Sequence, residues 1–217
     1  MTAIVPVPAG FTERRDAALG PVAGQSPLTR IVESLRAVVP VVVAAAADLA
    51  GPVRDALDAG PGLRVVTAGG DGDRTECLSA GLAVCPDGAV LVHDLAWPVF
   101  ETATCLRVVA ALETGARVVV PTRAVTDSVK AVDEHGVVTA TVDRSLLRSA
   151  QYPRGFDTTT LAELVGAAGG PSDELVAALR AGRTVTEVDG DDYAARFDLP
   201  HAVGHLTAVI EARHADR

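Results

Sequence analysis

Hydrophobic positions along this chain fall into two recurring patterns, short apolar runs and longer segments whose apolar residues recur three and four positions apart. The short runs are rich in Val, Ile and Leu and predict buried strands at residues 3–7, 41–45, 63–67, 89–92 and 117–121. The longer segments predict helices at residues 28–39, 52–59, 74–84 and 98–113, the second with Pro52 in its first turn. Strands that alternate with helices form βαβ units around a parallel sheet. The pattern predicts an α/β protein with a Rossmann-like, doubly wound and mostly parallel sheet.

The alternation breaks off between residues 122 and 150. Two β-rich runs, 128–132 and 137–142, are joined by a polar turn that ends in Gly136, which is typical of a β-hairpin. An isolated hairpin is marginal in water, so we expect it to pack on the sheet edge or to reach a second subunit. Further elements are predicted after it: helices at 158–167 and 172–181, a strand at 184–188 and a helix from Pro200. Residues 1–217 are predicted to form a single domain, with the hairpin as an arm at about 122–150.

Composition argues against several functions. The 217 residues carry a formal net charge of −9, which disfavours a general nucleic-acid binder, since binding to the phosphate backbone needs a basic face. The longest apolar run, residues 37–47, contains Pro40 and is shorter than the about 20 residues that cross a bilayer. No basic segment precedes the first apolar run, so no signal peptide is expected. We predict a cytoplasmic protein that binds neither membranes nor nucleic acids.

The end of the fourth predicted strand holds the candidate chemistry. Asp94 follows the run 89–92 just after His93, at the carboxyl end of a strand, where the ligands of open parallel sheets bind. A carboxylate there can hold a divalent metal ion against a phosphate. The alternative is an aspartate that only caps a helix or stabilises a loop. Trp97 lies three positions later, where a phosphate site would favour a cation. The pattern predicts an enzyme scaffold with an altered site.

Six short segments resemble, in order and near spacing, the 2-C-methyl-D-erythritol 4-phosphate cytidylyltransferase family. They are Gly69-Gly70 with Arg74, Leu91-Val92-His93-Asp94, Val125-Thr126-Asp127-Ser128-Val129-Lys130, Val142-Asp143-Arg144, Gln151-Tyr152-Pro153-Arg154-Gly155-Phe156 and Ser172-Asp173-Glu174. The resemblance extends over nearly the whole chain, and these middle segments carry it best. The resemblance implies a nucleotidyltransferase-type fold whose hairpin arm exchanges between the subunits of a homodimer. It also implies CTP and a sugar-alcohol phosphate as substrates, and Mg²⁺ as the cofactor.

The resemblance also implies roles for particular residues. Catalytic roles fall to Arg14, Lys130 and Arg196, and nucleotide contacts to Gly10, Gly70, Asp71 and Cys77. Substrate contacts fall to Asp94, Ser128, Arg144 and Tyr152, with Asp94 also the Mg²⁺ ligand. Nucleotidyl transfer needs positioning and charge neutralisation more than covalent catalysis, so the cations are expected to matter most. An anion site could form from Lys130, Arg144, Arg154 and Arg196; the alternative is exposed surface charge.

The chain departs from the family pattern at three places. In the N-terminal loop, Thr12 replaces the second glycine of the family's Gly-rich turn, and no lysine occurs before Pro27. Close approach of backbone to phosphate usually requires glycine, so the loop is predicted to be a remodelled connection; the alternative is a functional triphosphate loop. Trp97 replaces an arginine, and its ring cannot donate paired hydrogen bonds to phosphate. Cys77 replaces a serine, and the weaker donor favours a role in the core.

The sequence leaves three functions open. The first is a cytidylyltransferase of this family that works with Mg²⁺. The second is a non-catalytic relative that binds another phosphorylated ligand or a regulatory partner; the missing glycine, the missing lysine and Trp97 favour it. The third is a transferase for another nucleotide or sugar phosphate. Binding of CTP would separate the first function from the other two, and the path of residues 8–27 decides whether a triphosphate has space.

Overall fold

A central β-sheet organises the computed structural model, which describes residues 1–58, 60–167 and 173–215. The described residues contain these strands: β1 (Thr2–Val7), β2 (Val41–Ala45), β3 (Leu63–Thr67), β4 (Ala89–Val92), β5 (Val118–Ala124), β6 (Lys130–Val132), β7 (Val138–Thr141), β8 (Arg148–Ala150), β9 (Arg154–Asp157) and β10 (Thr186–Asp189). The main sheet has the order β10-β5-β9-β4-β1-β2-β3, and β8 pairs with β5 beside it. β6 and β7 form a separate two-stranded sheet.

Helices connect the parallel strands, as the alternating pattern predicts. They are α1 (Asp16–Leu19), α2 (Pro27–Arg36), α3 (Ala47–Ala56), α4 (Arg74–Leu82), α5 (Thr102–Glu113), α6 (Thr158–Ala167), α7 (Glu174–Arg180) and α8 (Val203–Ala215). β1 runs parallel to β2 and β4, β2 runs parallel to β3, and β5 runs parallel to β10. Every residue of β1 and β2 is buried, as expected for strands covered on both faces. The predicted α/β class with a mostly parallel sheet is confirmed.

The centre of the sheet contains an antiparallel strand that the sequence pattern does not predict. β9 lies between β4 and β5 and runs antiparallel to both. Its Gly155 packs closely under α5, because a Cβ atom there would come within 2.6 Å of Val108 and 2.8 Å of Leu112. Four residues with an internal glycine have a low intrinsic preference for strand. Close packing by α5, rather than local propensity, therefore accounts for β9.

Two predicted helices begin at least four residues from the predicted start. α3 begins at Ala47, so Pro52 lies inside this helix and not in its first turn. The prediction was wrong there because buried apolar residues on both sides of the proline hold the whole helix against the sheet. α5 begins at Thr102 rather than at residue 98. The carboxylate of Asp191 accepts a hydrogen bond from the N–H of Glu101 and holds this residue in an extended conformation, which delays the helix.

The remaining predicted elements agree more closely with the structure. β2, β3, β4 and α6 have the predicted bounds. The last helix begins at residue 203 rather than 200, because residues 200–202 form turns. Residues 59 and 172, each predicted to lie in a helix, are outside the described residues. None of the described helices is long and apolar enough to cross a membrane.

The predicted hairpin forms an arm outside the main sheet. β6 and β7 pair antiparallel, and Asp133 organises their turn by accepting hydrogen bonds of 2.9 Å from the backbone N–H groups of His135 and Val137. The apolar side chains of the arm are uncovered: Val138 is 60% exposed and Leu146 is 82% exposed. The arm therefore lacks a hydrophobic core of its own in the single chain.

Candidate active site

The loop after β4 places Asp94 at the carboxyl edge of the sheet. β4 pairs with β1, and the N–H of His93 continues this pairing by donating to the carbonyl of Ile4 at 3.0 Å. Asp94 then turns the chain: its Oδ1 accepts from the N–H of Ala96 at 2.8 Å, and its carbonyl accepts from the N–H of Trp97 at 3.0 Å. Asp94 thus stabilises a loop, which was the alternative to a metal-binding role. It also lies at the carboxyl end of a strand, where a ligand should bind.

The turn before α4 positions Arg74 beside this loop. Asp73 caps α4 by accepting from the N–H of Glu76, and Glu76 accepts from the N–H of Asp73 in return. Gly70 has a φ of +58°, and a Cβ atom there would overlap the carboxylate of Glu76. Only glycine fits this turn, so Gly70 has a structural reason to be present. The first residue of α4 is then Arg74.

Arg74 is the centre of a buried charged cluster. Its Nη1 donates to Oδ2 of Asp94 at 2.6 Å, while its Nη2 and Nε donate to the two oxygens of Glu174 at 2.9 and 3.2 Å. The hydroxyl of Tyr152 also donates to Oε1 of Glu174 at 3.2 Å. Burial opposes the charge of Arg74, but Glu174, Tyr152 and Asp94 outweigh it and raise the pKa of this guanidinium. Burial, and then Glu174, raise the pKa of Tyr152, which stays neutral.

A second arginine is paired beside this cluster. Nη1 of Arg154 donates to both oxygens of Asp173 at 2.8 Å. Asp173 also caps α7 by accepting from two backbone N–H groups. Burial would raise the pKa of Asp173, but the charge and hydrogen bonds of Arg154 lower it overall. The guanidinium carbon of Arg154 lies 4.1 Å from the ring centre of Tyr152, so the arginine is stacked as well as paired.

These groups line a cleft of about 470 Å³. Its lining residues are Arg74, Asp94, Trp97, Ala150, Tyr152, Arg154, Asp173 and Arg196. Trp97 is buried, with its ring centre 6.0 Å from that of Tyr152, so the indole fills one side of the cleft. Within the described part of the chain, Arg196 makes no ion pair. The cleft therefore combines two paired arginines with one free arginine around a carboxylate, an arrangement that can bind a phosphate group.

His93 supports the cleft from behind, a role that the sequence does not reveal. The side chain is fully buried between the rings of Phe100 and Tyr152, at centroid distances of 4.4 and 5.9 Å. Its Nε2 donates to the carbonyl of Trp97 at 2.8 Å, and its Nδ1 has no partner among the described residues. Burial lowers the pKa of His93 to about 4, so the ring is neutral near pH 7.

The N-terminal loop is folded into short helical turns. Residues Ala9–Phe11 form a 3₁₀ turn that contains Gly10, and α1 follows. The N–H groups of Ala9, Phe11, Thr12 and Arg14 donate to backbone carbonyls at 2.8 to 3.1 Å. Gly10 is exposed, and a Cβ atom there would meet nothing within 4 Å. The exposed Arg14 lies with its guanidinium 5.6 Å from the ring centre of Phe11.

Two further residues predicted to contact the nucleotide lie near the turn before α4, in opposite environments. Asp71 is exposed. Cys77 is fully buried, its thiol donates to the carbonyl of Gly72 at 3.8 Å, and burial raises its pKa to about 12. This environment agrees with the alternative in which Cys77 packs in the core.

The substrate residues predicted on the arm are not among those that line the cleft. Ser128, Lys130 and Arg144 are exposed. Nζ of Lys130 donates to the hydroxyl of Thr141 at 2.8 Å, and Arg144 donates to the carbonyl of Thr126. Within one chain these two cations contact the arm itself. Of the four cations proposed for the anion site, only Arg154 and Arg196 share the cleft.

The residues around Asp94 do not form a resident metal site by themselves. No group of three acidic, histidine or cysteine side chains comes together anywhere in residues 1–58, 60–167 and 173–215. Each oxygen of Asp94 already accepts a hydrogen bond, and the donor at Oδ2 is the Arg74 cation. Mg²⁺ usually retains several waters and is held by one or two carboxylates together with substrate phosphates. A Mg²⁺ ion would therefore have to arrive with a triphosphate.

The open sheet, with its cationic cleft at the carboxyl end of β4, defines an α/β protein of the nucleotidyltransferase type. Similarity to known sequences identifies one family within this class. The sequence model of the 2-C-methyl-D-erythritol 4-phosphate cytidylyltransferases matches residues 1–208, and the chain belongs to this family.

Individual relatives agree with this assignment. The chain is 37% identical over 204 residues to 2-C-methyl-D-erythritol 4-phosphate cytidylyltransferase of Rhodococcus opacus, covering 92% of this chain and 88% of the relative. It is 40% identical over 202 residues to that of Saccharopolyspora erythraea, covering 89% and 90%. The crystal structure of the enzyme from Thermus thermophilus matches with a TM-score of 0.74 at 25% identity, over 97% of this chain and 98% of that one.

Proposed function

We propose that the protein transfers the cytidylyl group of CTP to a sugar-alcohol phosphate, 2-C-methyl-D-erythritol 4-phosphate in the first instance. An oxygen of the acceptor phosphate forms a bond to the α-phosphorus of CTP. The bond from that phosphorus to the bridging oxygen breaks, and pyrophosphate leaves with the electron pair. The observation that carries the proposal is the cleft beyond β4, where arginines surround Asp94. Fixed cations of this kind stabilise the charge that develops on phosphoryl oxygens.

Arg196 is the first residue assigned to the acceptor phosphate. It lines the cleft, and it makes no ion pair with the described residues that binding would have to break. Arg154 supports the same phosphate at the cost of part of its pairing with Asp173. On the nucleotide side, Arg14, Gly70 and Asp71 are the proposed contacts, and Mg²⁺ is proposed to enter as a complex with CTP. No step of the transfer is assigned to the metal.

The arm is proposed to complete the site of a second chain in a homodimer. Ser128, Lys130 and Arg144 are outside the cleft of their own chain, so they would reach a substrate only in another one. The exposed Val138 and Leu146 supply apolar surface that a second copy would cover. Light scattering on the purified protein tests the mass, and Leu146→Asp is expected to yield monomers. A monomeric wild-type protein would contradict this part of the proposal. The cytoplasmic location stays a prediction.

The transfer is tested by release of pyrophosphate from CTP, methylerythritol phosphate and Mg²⁺. Activity is expected in the wild type, and Arg196→Gln should lower it about 100-fold, as for the loss of one charge-stabilising donor. Arg180→Gln is the matched control, because Arg180 is exposed at the end of α7. Absence of pyrophosphate with the wild-type protein would refute cytidylyl transfer to this acceptor.

A second candidate function is a non-catalytic relative that binds another phosphorylated ligand or a regulatory partner. The folded N-terminal loop favours it, because four of its N–H groups already donate to carbonyls and are not free for a triphosphate. The indole of Trp97 adds no hydrogen-bond pair for phosphate. Calorimetry with CTP separates the two functions. Binding at micromolar CTP supports the cytidylyltransferase, whereas no binding by a folded protein contradicts it and fits either the second function or a transferase for another nucleotide.

A further inference from the structure

A second cavity lies on the other side of the loop that follows Asp94. It has a volume of about 200 Å³ and is formed by α2, residues 98–102 and α8. Its polar lining is Gln25, Arg30, Glu33, Ser34, Thr102 and Arg213. The buried side chains of Val99, Phe100 and Ile210 complete it. None of these residues belongs to the cleft of the proposed transferase.

Two arginines converge on this cavity from different helices. Arg30 of α2 donates through Nη2 to the carbonyl of Val22 at 3.2 Å, and Arg213 of α8 donates through Nη1 to the carbonyl of Phe100 at 3.0 Å. Neither forms an ion pair with a carboxylate in the part of the chain that the structure describes. Backbone carbonyls thus hold both guanidinium groups at the cavity without a direct ion pair.

The electrostatics of the cavity favour one bound anion. Burial lowers the pKa of Arg30 and the charge of Glu33 opposes this shift, while the nearby charge of Arg213 adds a smaller lowering. Glu33 is the one carboxylate among the lining residues, and its Oε2 accepts a hydrogen bond of 2.5 Å from Nε2 of Gln25. Two positive charges and one negative charge leave the cavity with a net charge of +1. An anion between the arginines would relieve their repulsion, with the hydroxyls of Ser34 and Thr102 as further donors.

We propose that Arg30 and Arg213 form a second oxyanion site, for inorganic phosphate or pyrophosphate, separate from the cleft. A volume of about 200 Å³ is large enough for either ion. Guanidinium groups present paired donors that match the oxygens of phosphate. The site does not depend on cytidylyl transfer, so it can exist whether or not the protein is a transferase.

The second site is connected to the cleft through adjacent residues of one loop. Trp97 lines the cleft, whereas Pro98 lines the second cavity. The carbonyl of Trp97 is held by buried His93, whose ring also packs on Phe100. An anion bound to Arg213 therefore lies against the same loop that carries Asp94. Because the chain has one tryptophan, its fluorescence reports on this loop.

The test is a titration of the full-length ¹⁵N-labelled protein with inorganic phosphate, followed through the arginine Nε–Hε resonances. Sodium chloride at equal ionic strength is the control for a general salt effect. We expect saturable shifts for Arg30 and Arg213. Arg213→Gln should weaken binding by about tenfold or more, since hydrogen bonds between charged groups are the strong ones. Glu33→Gln should tighten binding, because it removes the negative charge. Arg180→Gln is the matched control and should bind as the wild type does.

Other outcomes would overturn the proposal. It fails if chloride reproduces the shifts, or if Arg213→Gln and Arg30→Gln bind phosphate as tightly as the wild type. If Arg213→Gln does not fold, Glu33→Gln decides: unchanged or weaker binding contradicts the charge balance. Arg196→Gln should leave the shifts of Arg30 and Arg213 intact, which separates this site from the cleft.

Discussion

The cleft and the hairpin arm both contain charged side chains but hold them in opposite ways. The cleft wall is formed by the residues that line or support the cleft: Arg74, His93, Asp94, Tyr152, Arg154, Asp173 and Glu174. In the wall, Glu174 is buried and Arg74 is mostly buried, and the two share two hydrogen bonds across 100 positions of sequence. On the arm, Lys130 and Arg144 are exposed and donate hydrogen bonds to groups of the arm. The wall therefore is organised within a single chain, whereas the arm presents its charges and apolar residues outward. Of the cations predicted to form an anion site, Arg154 and Arg196 therefore line the cleft of a single chain, whereas Lys130 and Arg144 do not.

The sharpest difference between the regions should appear when a carboxylate of the wall loses its charge. Glu174→Gln leaves the buried Arg74 with one carboxylate less and should reduce the free energy of unfolding by about 3–5 kcal/mol. Glu163→Gln is the matched control, because Glu163 forms an exposed pair with Arg183 at 2.6 Å. Exposed pairs contribute about 1 kcal/mol or less. Urea unfolding of both variants measures the difference, and equal losses would refute the central role of the buried cluster.

Acid should affect the wall before it affects the arm. The pKa of His93 is lowered from 6.5 to about 4 by burial, so the unfolded chain binds a proton in this range while the folded chain does not. Stability should therefore fall as the pH falls from about 6.5 to 4, by about 3 kcal/mol in total. When unfolding is measured across this range, the slope of the free energy of unfolding against pH should be smaller in His93→Gln than in the wild type. The control is His135→Gln in the exposed turn of the arm, which should keep the slope of the wild type. An unchanged slope in His93→Gln would contradict the burial argument.

A smaller effect is expected for Asp173, which is partly exposed. Its pKa is lowered despite burial because Arg154 pairs with it, so the pair stabilises the fold above pH about 4 and this contribution is lost as the pH falls further. With the Asp173 side chain 41% exposed, solvent screening limits the contribution to below about 1 kcal/mol. Asp173→Asn retains the helix cap and should lose only this part, whereas Asp173→Ala should lose about 1 kcal/mol more. Equal stabilities of the two variants at pH 7 would refute the capping role.

The smallest effect on stability should come from the arm. Val138→Thr removes exposed apolar surface and should change the free energy of unfolding of the monomer by less than about 0.5 kcal/mol. The same variant should shift a dimer equilibrium towards monomers in sedimentation experiments at several concentrations. A large loss of stability in isolated monomers would mean that the arm is packed in the single chain after all.

The sequence predicted the parts of the fold that local patterns determine. β2 and β4 are continuous apolar runs, and their bounds agree with prediction because burial on both faces leaves a clear signal. β3 also has the predicted bounds, although it is an edge strand that contains Arg64 and is only partly buried. β9 was missed because its stability comes from α5 packing on Gly155, a contact that has no local pattern. The start of α5 was missed for a similar reason, since distant Asp191 holds Glu101.

The candidate site was predicted only in part. The position of Asp94 followed from its place at the end of a strand, and the family resemblance pointed to Arg74 and Glu174 within motifs. Their pairing was not visible, since it joins the starts of two helices 100 positions apart. His93 was missed because a histidine after a strand looks the same in sequence whether it is buried or exposed. The cavity between α2 and α8 joins segments that lie far apart in the sequence.

The carboxylates already bound to Arg74 and Arg154 have a consequence for how any ligand enters the cleft. At Arg74 a phosphate would compete with Asp94 and Glu174, because Nε, Nη1 and Nη2 of this arginine all donate to these carboxylates. Binding is then an exchange of one anion for another, as on an ion-exchange resin. The free energy of binding is therefore the difference between the free energies of two ion pairs, and not the full free energy of one ion pair. A phosphorylated ligand would then be bound and released at low energetic cost, because the displaced carboxylates can pair with the arginines again.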